Sequence, residues 1–558
     1  LTLINFFNIL KNNCLDPIQE VYLPLGRIKR IGFHDLDRDV DSQLNLYREE
    51  KIIDRIKAED YTLWQTDPEE IANRLGWLDI AGRMMSETKT IMQFRHQLLN
   101  DGIEKVVILG MGGSSLAPEL FAKTFLNCRS GLDLRILDST DPEMVLRCHE
   151  WAEPEKTAYI VSSKSGNTPE TLSLFKYFFT SLSSLRNSGR FFIAITDPGS
   201  PLQRIANDLK FRHLFLNDPN IGGRFSALSH FGLVPGALAG VDLKKMLRSA
   251  MNADWSLGLE LGTIMGIFAL KGIDKIRFNL PEKLRSFGDW VEQLIAESTG
   301  KKGLGILPVI DETLIPDCRY ARDQWTVQIV MRENDSDSAE NSGRIESPLI
   351  VVTLDDLYDL GEQFFIWELA TAVAGYTLHI NPFDQPNVES AKIAAKKMIS
   401  TYQKTGSLPD PETVSLRENH LNAFLDQARP GDYLALQAYI PMIPQTIQLL
   451  CKIQSALRQK TGLAVTVGFG PRFLHSTGQL HKGDRGNGLF IQLTCEARRD
   501  AMIPDQPGNS KSEMSFHVLK TAQAMGDYQA LKMENRRVIH FHLSGDIEEA
   551  LQKFLNLC

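Results

Sequence analysis

The chain has 558 residues, 43% apolar and 23% charged, which is enough to bury at least two cores and excludes a disordered or fibrous protein. Its formal net charge of -8 argues against a general nucleic-acid binder, which presents a basic surface or tail. Seven cysteines, at 14, 128, 148, 318, 451, 495 and 558 and without close metal-like pairs, suit a reduced, cytoplasmic setting better than a disulfide scaffold or zinc module.

The opening LTLINFFNIL is too short to cross a bilayer and lacks the layout of a secretory signal, so no membrane partner is expected. Residues 1–100 read as a helical N-terminal scaffold. Within it, Asp67 and Pro68 open a predicted helix whose first turn carries Glu69 and Glu70, acids placed toward its positive end. From 101 the pattern changes to short apolar strands alternating with helical segments: VVILGM (106–111), LRILDST (134–140), TAYIVS (157–162) and FFIAITD (191–197). Continuous apolar strands bounded by Gly, Ser and Asp predict a mainly parallel, doubly wound sheet, placed at 101–245. A second α/β domain over 255–404 has strands in GLGILPVI, WTVQIVM and SPLIVVTL, a helix in QFFIWELATAVAGYTL and an exposed loop at ENDSDSAENSGR. TGSLPDPETVSL (405–416) links it to an α/β extension, 405–558, expected to pack on the second domain. Strands are predicted there in LAVTVGFG and GLFIQLT, and a closing amphipathic helix groups Ala550, Leu551, Phe554 and Leu555.

Three strand ends run into polar loops, where an open parallel sheet lines its ligand crevice. GMGGSSLAPE (110–119) misses the G-x-G-x-x-G order because its sixth position is Ser115, although Asp138 after LRIL keeps a nucleotide reading open. Its other reading is a close turn at Gly112 and Gly113, with Ser114 and Ser115 facing an oxyanion. In SKSGNTPET (163–171), Ser163, Ser165, Thr168 and Thr171 supply hydroxyls, Gly166 allows close approach, and a helix begins near Pro169. Phosphate binding and an ordinary capped turn both fit that composition. Arg224 in NIGGRFSALSHFG suits either an anionic substrate or a local ion pair.

In LRSFGDWVEQLIAESTGKK, Leu284, Phe287, Val291, Leu294 and Ser298 share a helical face. Glu297 falls about 20° from Trp290 on its flank, as a poised general base or as a surface helix end. In INPFDQPNVESAK, Asn387 is a candidate cap and Lys392 lies three residues after Glu389, facing either an anion or solvent. His475 and His481 in RFLHSTGQLHKGDRGNG are six apart, unlike the spacing of H-E-x-x-H, so no metal is expected. A mobile anion-contacting loop, a domain-interface loop and an acid–base histidine all remain open readings there.

Taken together, GMGGSSLAPE, SSKSGNTPET, NIGGRFSALS, AESTGK and NPFDQPNVESAK resemble the glucose-6-phosphate isomerase family over residues 100–400. GFGPRFLHSTGQLHKG resembles the isomerase part of bacterial bifunctional transaldolase/glucose-6-phosphate isomerases. The resemblance implies two sugar-isomerase-type α/β domains with predominantly parallel sheets and flanking helices, a homodimer, a small phosphorylated sugar as partner, and no cofactor. By the same resemblance Ser114, Ser163, Ser165, Thr168 and Thr171 hold the phosphate, Arg224 stabilises an enediolate, Glu297 is the base and Lys392 handles the ring. Lys164, His379, His475 and His481 are auxiliary candidates, since residues 298–378 contain no histidine for ring opening. KGDRGNG departs from the expected KGGPNTG by placing Asp484 and Arg485 where small or rigid residues are expected. A phosphosugar-binding regulator and a dual glucose/mannose phosphate isomerase are the alternatives.

Overall fold

The computed structural model describes residues 21–22, 28–126, 131–310, 322–332 and 347–558; the opening apolar run and ENDSDSAENSGR lie outside them. Two strands, β1 (Val21–Tyr22) and β2 (Ile28–Ile31), precede helices α1 (Asp35–Glu49) and α2 (Ile80–Asn100), so the N-terminal region is not purely helical. α1 turns Val40, Leu44 and Tyr47 inward, the spacing of a one-sided apolar stripe. The helix expected at Asp67 does not form. Asp67 accepts from the Glu69 amide at 3.0 Å, but Glu70 takes φ 54°, a left-handed conformation that stops an L-residue helix after one turn. The chain runs on instead to Leu75, which bridges Ile221.

The first sheet holds β3 (Lys105–Leu109), β4 (Asp133–Leu137), β5 (Thr157–Ser162), β6 (Phe192–Thr196) and β7 (His213–Leu216) in the order β4-β3-β5-β6-β7, all parallel. The order reverses between β3 and β5, so the loops after these two strands flank the switch point at which such sheets bind ligands. Each loop runs into a helix, α3 (Leu116–Thr124) and α4 (Pro169–Ser181). β5 and β6 are buried along their whole length, which explains their uninterrupted apolar sequences.

The second sheet has β8 (Lys275–Asn279), β9 (Leu307–Val309), β10 (Gln324–Met331) and β11 (Leu349–Leu354). Its order is β1-β2-β11-β10-β8-β9, parallel from β11 to β9 and closed at one edge by antiparallel β2. Between β8 and β9 runs α5 (Arg285–Thr299), whose Phe287, Trp290, Val291 and Leu294 are fully buried, each contributing about 1.5–3 kcal/mol. α6 (Leu360–Thr377) is buried almost all round, and α7 (Glu389–Thr405) follows it.

The last 140 or so residues form a third sheet from β12 (Tyr433–Tyr439), β13 (Ala464–Phe469), β14 (Gly488–Cys495) and, after the short hairpin β15 (Met502–Ile503) and β16 (Met514–Ser515), β17 (Arg537–Leu543). Its parallel order, β13-β12-β14-β17, repeats that of the first four strands of the first sheet. A helix over Glu418–Leu425 precedes this sheet, and its other helices are α8 (Pro444–Thr461), α9 (Gly478–Gly483), α10 (Phe516–Met533) and α11 (Ile547–Leu555); α11 buries Ala550, Leu551 and Phe554 as expected. This extension touches more than the second sheet. Tyr433, Ala435, Leu480 and Phe490 share a cluster with Ala296, Leu307 and Val309, while Lys520 and Gln523 on α10 reach Asp141 and Thr140 after β4, both at 2.8 Å. Among the described residues no single helix is long and apolar enough to cross a membrane.

Candidate active site

The loop after β3 can lie so close to its neighbours only because it lacks side chains. A Cβ on Gly113 would stand 1.9 Å from the Gly223 carbonyl oxygen, and one on Gly112 would stand 2.8 Å from Gln293 Nε2 and 2.9 Å from the His475 carbonyl oxygen. The GGSS and GGR motifs are thereby pressed together, with Ser114 buried between them. After β5, Ser163 Oγ meets Thr168 Oγ1 at 2.9 Å and accepts from the Gly166 amide at 3.1 Å, while Ser165 Oγ accepts from the Asn167 amide at 3.3 Å. Thr168 occupies the N-cap position of α4 without capping it through its side chain, and Thr171 is buried one turn inside. Hydroxyls, turn amides and a helix N-terminus are thus gathered where an anion is held well.

Beside this cup the end of α5 presents Glu297. Its Oε1 lies 3.3 Å from Arg224 Nη1, and its Oε2 accepts from Gln293 Nε2 at 3.0 Å. Gln293 Nε2 also donates to the His475 carbonyl at 2.8 Å, so one amide joins the Glu297 carboxylate, the Gly112 loop and the extension. Arg224 is buried and its other contacts are made to protein: Nε to Ser298 Oγ at 2.8 Å, Nη1 to Gln385 Oε1 at 2.8 Å, and Nη2 to the carbonyls of Pro382 at 2.6 Å and Asp384 at 3.0 Å. Burial pulls its pKa down, opposed by the charges of Glu297 and Asp384. The guanidinium therefore clamps the FDQ turn to α5 and offers Nη1 toward the carboxylate.

Lys301 lies within AESTGK but is not among the residues the sequence singles out. Here it is buried, donating to Asn381 O at 2.9 Å and to Asp384 O and Oδ1, both at 2.6 Å. Burial and the neighbouring Arg224 bring its pKa down to about 8, against the pull of Asp384.

Of the auxiliary histidines, His475 is the one brought to the cluster. Its Nε2 lies 3.1 Å from Glu170 Oε1, across 305 residues of sequence. Burial opposes the Glu170 charge, but His475, and Lys392 beyond it, hold that carboxyl below its ordinary range. Lys392 itself is half exposed, 3.8 Å from Glu389, at the rim. His481 is enclosed by Tyr433, Phe473 and Phe490, and burial, then Lys482 and Arg536, hold its pKa well below the usual value; it packs the extension's core. His379 is exposed past the end of α6 with φ 55°, and no hydrogen bond or ring contact among the described residues carries its imidazole to the cluster. Lys164 is spent on Asp197 and the Pro219 carbonyl.

Two further expectations change. Asn387 does not cap α7, which has no side-chain cap; its amide and side chain instead pair with Gln479, at 2.8 and 2.7 Å. The charges in KGDRGNG point away from the cluster, Asp484 to Tyr433 at 2.7 Å and Arg536 at 3.1 Å, Arg485 to Asp274 at 2.9 Å. Arg485 fastens the extension to the start of β8, while Asp484 braces the extension internally.

Mostly parallel sheets flanked by helices give this chain an α/β fold of the sugar-isomerase type. The chain resembles the crystal structure of a glucose-6-phosphate isomerase from Chlamydia trachomatis with a TM-score of 0.51 at 18% identity, over 65% of this chain and 86% of that one. Residues 84–257 match the phosphoglucose isomerase family model. A probable glucose-6-phosphate isomerase of Methanococcus maripaludis is 28% identical over 399 residues, covering 62% of this chain and 87% of its own, and a glucose-6-phosphate isomerase of Thermus thermophilus is 27% identical over 387 residues, covering 59% and 92%. Each of these likenesses is to a glucose-6-phosphate isomerase and extends over part of this chain.

Proposed function

We propose that this protein interconverts glucose 6-phosphate and fructose 6-phosphate through a cis-enediolate. The observation that carries the reading is the Glu297 carboxylate, held by Arg224 and Gln293 directly beside the Gly112 loop of the anion cup. Ser114, Ser163, Ser165, Thr168 and Thr171 anchor the phosphate, which places the other end of the sugar over α5. Opening the ring requires a proton at the ring oxygen and loss of one from the C1 hydroxyl. His475, oriented by Glu170, serves the ring oxygen, and Lys392 stands at the reacting oxygens from the rim. Glu297 then takes the C2 proton and returns it to C1, a proton passes from the C2 hydroxyl to the C1 oxygen, and Arg224 offsets the charge of the enediolate. Positioning and charge provide the catalysis.

The tail motif GFGPRFLHSTGQLHKG supports kinship with the isomerase part of bacterial bifunctional transaldolase/glucose-6-phosphate isomerases. A cytoplasmic homodimer is the form this kinship suggests, yet His475 comes from the same chain as Glu170 and Glu297. The deciding experiment is Glu297→Gln. Solvent-deuterium uptake at C2 of glucose 6-phosphate should disappear, with binding of the phosphosugar retained by calorimetry; uptake equal to that of the parent protein overturns the reading.

A further inference from the structure

The extension contributes more than His475. α10 carries Lys520, Gln523 and Asp527 at i, i+3 and i+7, one helical face, and all three are buried. Each reaches a different part of the molecule. Lys520 Nζ donates to Asp141 Oδ2 at 2.8 Å, fixing α10 to the loop after β4. Asp527 Oδ1 accepts from Lys482 Nζ at 2.6 Å, fixing α10 to the segment that delivers His475. Between them, Gln523 Nε2 donates to Glu170 Oε1 at 2.6 Å, while its own carbonyl accepts from Thr140 Oγ1 at 2.8 Å. The amide cannot rotate without losing one of these bonds. The oxygen it grips is the one facing His475 Nε2 at 3.1 Å.

We propose that Gln523 is a positioning residue for sugar-ring opening: locked by Thr140, it pins the Glu170 carboxylate so that Glu170 Oε1 holds His475 Nε2 and the opposite edge of the imidazole faces the sugar. This rests on the isomerase reading. A carboxylate oxygen left free to turn would let the imidazole adopt either orientation, and the proton would no longer be aimed. The charged and titratable groups facing Glu170 are His475, Lys392 at the rim, and Tyr439 from the end of β12, whose pKa is raised by burial, Asp527 and Glu170. The Tyr439 hydroxyl and Asp527 Oδ2 have no hydrogen-bond partner among the described residues, so beside the backbone amide of Glu170 itself it is the neutral Gln523 side chain that fixes this carboxylate.

The test compares a cyclic substrate, glucose 6-phosphate, with an acyclic one, a tetrose 4-phosphate whose ring-forming hydroxyl is esterified. Gln523→Leu keeps the volume and removes both bonds. It should lower kcat on the hexose by about 10- to 100-fold, the weight of a hydrogen bond to a charged group, with KM unchanged and deuterium uptake by the tetrose within about threefold of the parent. Thr140→Val should act in the same direction by about 3- to 10-fold, and is the milder variant should Gln523→Leu not fold. Gln523→Glu sets two carboxyls against each other to share a proton, and should move the acid limb of the hexose pH profile upward by about one unit while leaving the tetrose profile in place. Equal losses on both substrates, or no loss on either, overturn the proposal and leave the isomerase reading standing. A parent protein without hexose turnover removes both.

Discussion

Replacing His475 by alanine separates the two halves of the proposed chemistry. The imidazole lies 3.1 Å from a buried carboxylate, so its loss has a structural and a catalytic part. Structurally, Glu170 keeps Gln523 but loses a charge-assisted partner, costing about 1–3 kcal/mol, which a stable fold of this size absorbs. Catalytically, withdrawing a positioned acid or base lowers the rate by about 10²- to 10⁴-fold, or about 2.7–5.4 kcal/mol at 1.36 kcal/mol per tenfold. That loss should appear with glucose 6-phosphate in a coupled assay and be recovered in part by added imidazole. Deuterium uptake into a tetrose 4-phosphate needs no ring opening and should fall less than about tenfold. Glu297→Gln, by contrast, should abolish both. Equal losses on the two substrates for His475→Ala would refute the assignment, as would none on the hexose.

Gly113→Ala puts a Cβ 1.9 Å from the Gly223 carbonyl oxygen, forcing apart the GGSS and GGR loops; KM for the phosphosugar should rise at least about tenfold, with about 1–3 kcal/mol lost in stability by urea titration. Lys482→Met strands Asp527 in a pair exposed by only 1% and 0% and should cost about 3–5 kcal/mol, most of it regained in Lys482→Met/Asp527→Leu. Burial opposes the Glu119 charge, but Arg472 and Lys123 bring its pKa from 4.5 down to about 2. The unfolded chain therefore takes up this proton first, and the stability it lends above pH 4.5 is lost as pH falls toward 2; Glu119→Gln should flatten that part of a urea-midpoint profile. Because His475, Glu170 and Glu297 belong to one chain, activity per milligram should stay constant on dilution through any dimer dissociation measured by sedimentation.

What could be read from sequence is the chemistry close to a strand end or on a helical face. The hydroxyl loops follow apolar runs, and the flank position of Glu297 follows from the periodicity of α5. β8 escaped that reading because its Lys275 and Arg277 break the apolar run; both are buried, Lys275 between Asp274 at 2.6 Å and Asp323 at 2.7 Å. His475 stood among the sequence candidates but could not be singled out: its partner lies 305 residues away, and neither histidine spacing nor composition encodes such a pairing. Gln523 carries no sequence signal, since a glutamine within AQAMGD has the composition of an ordinary helix. Lys301 was visible in its motif, but only the folded FDQ turn supplies the carbonyls that make its burial tolerable.

The third sheet has the strand order of a ligand-binding sheet, yet Thr140 and Asp141 from the neighbouring sheet occupy the ground beside its α10. What such an architecture normally reserves for a guest has become a socket for the protein's own loop. The extension is therefore a part with a plug fitting: moved to another protein, it would not seat unless the matching Ser-Thr-Asp loop travelled with it, and any agent that pried the joint open would carry His475 away from Glu170.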